Sequence, residues 1–194
     1  MELTDTLRYR FQVDSECWLN EKVPFHNLTC VLKNSRVALI CGEAGIGKTT
    51  FLEQMRRSYQ ARARFYWSGC DPLLTPRPFG PVHDIVAELS TVLLELLENG
   101  ASTTSIYSSF YQALESSNEP IVLVFEDVHW ADHATLDLFK FLVRRIAFIE
   151  CLLIISYQDD EVGETHPFRT VLDVLPCAHT SRIPNEPWLS NINN

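Results

Sequence analysis

The sequence predicts an α/β fold, a three-layer arrangement in which a mainly parallel sheet is covered by helices. Three observations carry this. From residue 36 onward, short apolar runs alternate with stretches of helical period. The runs are apolar at consecutive positions, as strands buried on both faces are. Finally, a glycine-rich loop, GEAGIGKTT (42–50), joins the first apolar run to the first helix-like stretch.

Taken in order, residues 1–35 show no clear period; they hold CWLNEKVPFHNLTC and read as an added strand and helix or as a loose arm. Arg36–Cys41 is the first strand, Lys48–Gln60 a helix and Arg64–Ser68 the second strand. The following DPLLTPRPFGP holds four of the ten prolines, which makes it a stiff loop. Arg77 within it reads first as a solvated loop residue, with a phosphate or a neighbouring subunit as the alternative contact. Val82–Leu97 has apolar residues at 82, 85, 86, 89, 92, 93, 96 and 97, one helix whose wide stripe faces its own core. Thr103–Ser116 is a weaker helix. Ile121–Phe125 is the third strand, and Asp132–Ile146 a helix with Asp132 as N-cap. Cys151–Tyr157 is the fourth strand, and QDDEVGE after it a solvated loop. Residues 36–184 form the expected core, and 185–194, with little to bury, a frayed tail.

The 194 residues suit one domain. A hydrophobic share of 46% and a charged share of 21% are ordinary for a globular chain. The net charge of -9 argues against gripping nucleic acid through the overall field. The six cysteines form no CxxC pair, and Cys41 and Cys151 lie in or beside apolar runs, so reduced, structural thiols are expected. No secretory segment and no membrane-length apolar run is read, and the expected setting is cytoplasmic.

The loop satisfies G-x-x-x-x-G-K-[ST] through Gly42, Gly47, Lys48 and Thr49. Glycines let the backbone N–H groups turn inward as an anion cradle, and the next helix begins with its positive end at the same point. The cradle runs through Gly42, Glu43, Ala44, Gly45, Ile46, Gly47, Lys48, Thr49 and Thr50. Lys48 reaches toward the β- and γ-phosphates, and the Thr49 hydroxyl toward Mg²⁺.

The run VLVFEDVHWAD (122–132) ends in two adjacent acids. A carboxylate at the tip of a buried strand needs a cation or a reacting group. Glu126 or Asp127 would hold Mg²⁺ opposite Thr49, and the other would orient or deprotonate the attacking water. In a regular strand the two face opposite ways. They serve one site only if the backbone turns there. His129 reads equally as a nucleotide sensor or a satisfied core histidine, and Trp130 mainly as packing.

These segments, with CDPLLTPRPFGPVHDI (70–85) and SYQDDE (156–161), follow one another in an order that resembles the ATPase core of large LuxR-type transcriptional regulators. Those are STAND-class signal-transducing P-loop ATPases related to AAA+ proteins. The resemblance implies an ATP-driven switch on a five-stranded sheet of order 5-1-4-3-2. It puts Glu126 at the Walker B metal-binding position and Asp127 at that of the water-positioning acid. Where the family usually has an arginine after the fourth strand, this chain has Gln158, which offers the nucleotide a neutral hydrogen bond in place of a charged one. The Gly-Arg-Glu motif of the family is absent from residues 1–35, and no winged helix, helical repeat or helix-turn-helix follows the core.

The expected function is therefore a module that binds Mg²⁺-ATP or ADP and hydrolyses ATP slowly. Lys48, Glu126 and Asp127 would be its catalytic residues, and Thr49, Glu126 and Asp127 its metal ligands. No direct DNA contact and no membrane is expected. A protein partner or self-association would use the surface left bare where the family's C-terminal domains are missing. The alternative is a nucleotide-binding interaction module or fragment without turnover; a small-molecule kinase fits the strand end poorly.

Overall fold

The structure is a computed structural model that describes residues 36–72 and 78–175, and the backbone of 180–183. Readings that fall on residues 1–35, on Arg77 and on the tail lie outside the described residues.

The apolar runs at 37–41, 121–126 and 151–157 become strands because their side chains find cover on both faces. The strands are β1 (Val37–Cys41), β2 (Arg64–Gly69), β3 (Ile121–Glu126), β4 (Cys151–Tyr157) and β5 (Thr180–Ile183). They form a parallel sheet of order β2-β3-β4-β1-β5. The helices are α1 (Lys48–Tyr59), α2 (Gly80–Leu89), α3 (Thr91–Glu98), α4 (Thr103–Glu115), α5 (His133–Val143) and the short α6 (Arg169–Leu172).

The twofold alternation of strand side chains divides the core into two. Ala38, Ile40, Val122, Val124, Leu152 and Ile154 pack against Phe51, Leu52 and Met55 of α1. Val37, Leu39, Ile121, Leu123, Phe125, Leu153 and Ile155 face the other way, toward the buried residues of α2 to α5. The sheet is thus the middle of three layers, and the β1, β3 and β4 carboxyl ends meet at one edge. Open parallel sheets bind ligands at that edge.

The single helix expected over Val82–Leu97 is two. Ser90 is extended (φ -162°, ψ 119°) and its side chain accepts from Leu93 N at 3.3 Å, so it ends α2 and caps α3. The apolar period runs through this break and conceals it; Val82, Ile85, Val86 and Leu93 still reach the core. The helix expected to reach Ile146 ends at Val143, followed by a separate 3₁₀ turn at Ile146–Phe148.

Candidate functional site

The loop after β1 curls because two of its glycines take backbone angles that other residues resist. Gly45 has φ 76° and Gly47, the N-cap of α1, φ 100°. A Cβ at either would meet nothing within 4 Å, so the requirement is the backbone angle and not space. Gly47 offers no side-chain cap, and the first turn of α1 holds no acid. The leading amides of a helix lack intrahelical acceptors, which leaves this end able to take an anion. Lys48, only 7% exposed, folds back over the loop. Its Nζ donates to Gly42 O at 2.9 Å and to Glu43 O at 3.1 Å.

Thr49, on the first turn of α1, meets the end of β3. Its Oγ1 donates to Glu126 Oε1 at 2.7 Å, joining residues 77 apart in sequence. The second oxygen, Oε2, accepts from Trp67 Nε1 at 2.8 Å. Glu126 is the last residue of β3, paired with Gly69, and its carbonyl accepts from Cys70 N at 2.9 Å.

The backbone does turn after Glu126. Asp127 is left-handed (φ 52°, ψ 44°) and N-caps a 3₁₀ turn over Val128–Trp130. Aspartate tolerates this region better than most residues. The Asp127 amide donates to Ser156 Oγ of β4 at 3.2 Å, and its carbonyl accepts from Trp130 N at 2.9 Å. The geometric condition for the two acids to serve one site is met.

His129 is buried, and among the described residues neither ring nitrogen has a hydrogen-bond partner. The Glu161 carboxylate stands 3.8 Å from Nε2. Burial pushes the imidazole pKa below its ordinary value; Asp127 and Glu161 pull it up, while His166 and Lys48 add to the lowering. The alternative of a satisfied core histidine does not hold among these residues. Trp130 departs from its packing role as well, being 43% exposed with its ring 5.2 Å from that of His129.

Asp132 is the N-cap the sequence predicts. Its carboxylate accepts from Thr135 N at 3.0 Å, Thr135 Oγ1 at 2.6 Å and Phe79 N at 3.1 Å, so it ties the start of α2 to that of α5. Gln158 follows Tyr157, which pairs with Cys41, and so lies at the same sheet edge as Gly42. Asp159, Asp160 and Glu161 are exposed, as a solvated loop should be. Cys70 and Cys151 are buried free thiols, and Cys41 is buried as well. Burial, with Asp132 and Asp127 nearby, pushes the Cys70 thiol to about 12, so it is no nucleophile at neutral pH.

Sequence reasoning did not single out Trp67 or Ser156. A tryptophan in a half-buried strand needs an acceptor for its N–H, and that was the available signal for Trp67.

The donor set is a hydroxyl and carboxylate oxygens, which suits a hard divalent ion such as Mg²⁺. Among the described residues no group of three His, Cys, Asp or Glu side chains is placed to hold a metal. Mg²⁺ in phosphate sites needs only one or two carboxylates, the phosphates and water supplying the rest. No described helix is long and apolar enough to cross a membrane.

A family model described as the AAA ATPase domain matches residues 25–155. No curated protein matches significantly. Among solved structures, Cdc6p from Pyrobaculum aerophilum is 15% identical with a TM-score of 0.57 over 90% of this chain and 48% of its own. A chain of the Drosophila ORC bound to DNA is 13% identical with a TM-score of 0.54, covering 83% of this chain and 86% of its own. A STAND protein with a tetratricopeptide repeat sensor from Pyrococcus horikoshii is 16% identical with a TM-score of 0.52, covering 91% of this chain and 24% of its own. This chain thus spans about half the length of the Cdc6p chain. At these identities the likeness is one of fold.

Proposed function

This chain belongs to the AAA ATPase domain family, and from that premise we propose that it is the nucleotide-operated switch module of a signal-transducing ATPase, of the kind found in LuxR-type regulators. The observation that carries the reading is the 2.7 Å bond between Thr49 and Glu126, which brings the phosphate loop and the strand-end acid to one point. Members of the family bind nucleotide; here ATP or ADP would lie along residues 42–50, and Thr49 and Glu126 are the residues that would hold Mg²⁺.

Each residue has a task. The loop amides and Lys48 hold the phosphates, Lys48 exchanging its two carbonyl partners for phosphate oxygens. Glu126 and Thr49 would hold the cation, which would offset charge on the phosphates. Asp127, turned out of the strand and held by Ser156, accepts a proton from the attacking water. Gln158 gives the far phosphate a neutral hydrogen bond, so turnover is slow. Residues 36–184 are the switching unit, in a cytoplasmic setting. Its contacts run to nucleotide and to protein; with a net charge of -9, direct DNA binding is not part of the reading.

The second reading, a binding module without turnover, is favoured by Gln158 alone. Calorimetric titration of ATP into the chain and into Lys48→Ala, with and without Mg²⁺, tests the common core of both. Removing a charged phosphate contact should weaken binding by roughly ten- to a hundredfold. Equal affinity in the two proteins would sink the proposal.

A further inference from the structure

We propose that Trp67 is a positioning residue for the strand-end carboxylate: its indole N–H holds Glu126 Oε2, so that Oε1 alone is presented to Thr49 and the divalent cation. The inference rests on the Mg²⁺-nucleotide reading above and adds to it how the site selects its metal.

The sheet register builds this contact. Phe65 and Trp67 of β2 stand opposite Val122 and Val124 of β3, and Gly69 stands opposite Glu126. By twofold alternation these side chains share the face covered by α1, and Trp67 packs there against the cluster that holds Phe51, Leu52 and Met55. Gly69 has no side chain to put beside Glu126. The diagonal neighbour two residues back fills the place, a distance an aromatic side chain spans. The result is Nε1 donating to Oε2 at 2.8 Å, while Thr49 Oγ1 donates to Oε1 at 2.7 Å.

A glutamate side chain left to itself rotates about three bonds and can turn both oxygens to a metal. Trp67 removes that freedom. With Oε2 engaged by a neutral donor, Glu126 offers a cation one oxygen. Mg²⁺ is small, octahedral and bound through single carboxylate oxygens, whereas Ca²⁺ accepts bidentate carboxylates and irregular shells. Holding Glu126 to one oxygen therefore favours Mg²⁺ over Ca²⁺. An indole N–H is also uncharged, so it fixes the carboxylate without competing with the cation for its charge.

The test is Trp67→Phe, which keeps a smaller aromatic ring against α1 and deletes the donor. Mg²⁺ and Ca²⁺ are titrated separately against the ATP-loaded chain, and ATP affinity is measured in EDTA. The expected result is a Mg²⁺ half-saturation raised about tenfold and a Ca²⁺ value changed less than about twofold, with metal-free ATP affinity also within about twofold. In nitrogen–proton spectra, the indole resonance missing from Trp67→Phe identifies Trp67. That resonance should shift in Glu126→Gln before any ligand is added, a readout that does not depend on Trp67→Phe behaving well. If Mg²⁺ affinity and Mg²⁺/Ca²⁺ preference match the parent, or the resonance ignores Glu126→Gln, the inference is overturned while the nucleotide reading stands. A parent chain that binds neither ATP nor Mg²⁺ overturns both.

Discussion

Glu126 and His129 lie on one short segment, yet their polar atoms fare oppositely. Both oxygens of Glu126 accept hydrogen bonds, from Thr49 and from Trp67. The imidazole of His129 is buried with neither nitrogen bonded among the described residues, and its nearest carboxylate is 3.8 Å away. Between them Asp127 holds a left-handed backbone at φ 52°. The strand end is set in place by specific bonds. The turn after it is held by the Asp127 amide on Ser156 Oγ and the Trp130 amide on the Asp127 carbonyl. Against this stands the cost of a buried ring whose nitrogens have no hydrogen bond among the described residues, about 1–3 kcal/mol for such a group. One region has its polar side-chain atoms hydrogen-bonded; the other buries a ring whose nitrogens have no hydrogen bond among the described residues.

The sharpest way to separate the two is Asp127→Asn. Asparagine keeps the shape and tolerates the left-handed region, so folding and ATP affinity should hold. Phosphate release should fall by roughly 10²–10⁴, the loss typical of a missing general base. A mutant that releases phosphate at the parent rate would remove Asp127 from the chemistry. Glu126→Gln comes next. It keeps the shape but removes the charge and leaves one acceptor oxygen for the two donors, Thr49 Oγ1 and Trp67 Nε1, that share the carboxylate. Neutral bonds are also roughly half as strong as charge-assisted ones. The Mg²⁺ needed for half-maximal ATP binding should rise about tenfold while ATP affinity in EDTA is kept.

Smaller effects probe the turn itself. Ser156→Ala leaves the Asp127 amide without its acceptor, and a cost of about 1 kcal/mol lowers the melting temperature by about 2–4 °C. His129→Phe goes the other way. Replacing two unbonded nitrogens by carbon should raise the melting temperature by up to about 2–4 °C. A pH effect accompanies it. Burial holds the folded His129 pKa below its unfolded value near 6.5, so below that pH the unfolded chain binds the extra proton. Stability is then lost as pH falls from the unfolded value toward the folded one. Melts of the metal-free chain should show this slope, and His129→Phe should flatten it. An unchanged slope would assign the acid sensitivity to other groups.

How much of this the sequence disclosed depends on whether the signal was local. The loop at 42–50, the apolar runs and the Asp132 cap each announce themselves within about a dozen residues, and they appear where expected. The family likeness supplied the place of the fourth strand between β1 and β3, which no local pattern contains. Ser90 escaped notice because the apolar period continues through it, although its own oxygen ends one helix and starts the next. Trp67 and Ser156 escaped because their partners are 59 and 29 residues away. Trp130 was read as packing on the general habit of aromatic residues, and its exposure follows from a backbone turn that strand periodicity cannot foretell.

The measurement that bears most directly on the central claim is phosphate release from ATP by the purified chain with and without Mg²⁺, beside Lys48→Ala. The account predicts slow, Mg²⁺-dependent release that disappears in the mutant, because Lys48 must leave the Gly42 and Glu43 carbonyls for the phosphates. Release that persists unchanged in Lys48→Ala, or that ignores Mg²⁺, would contradict it.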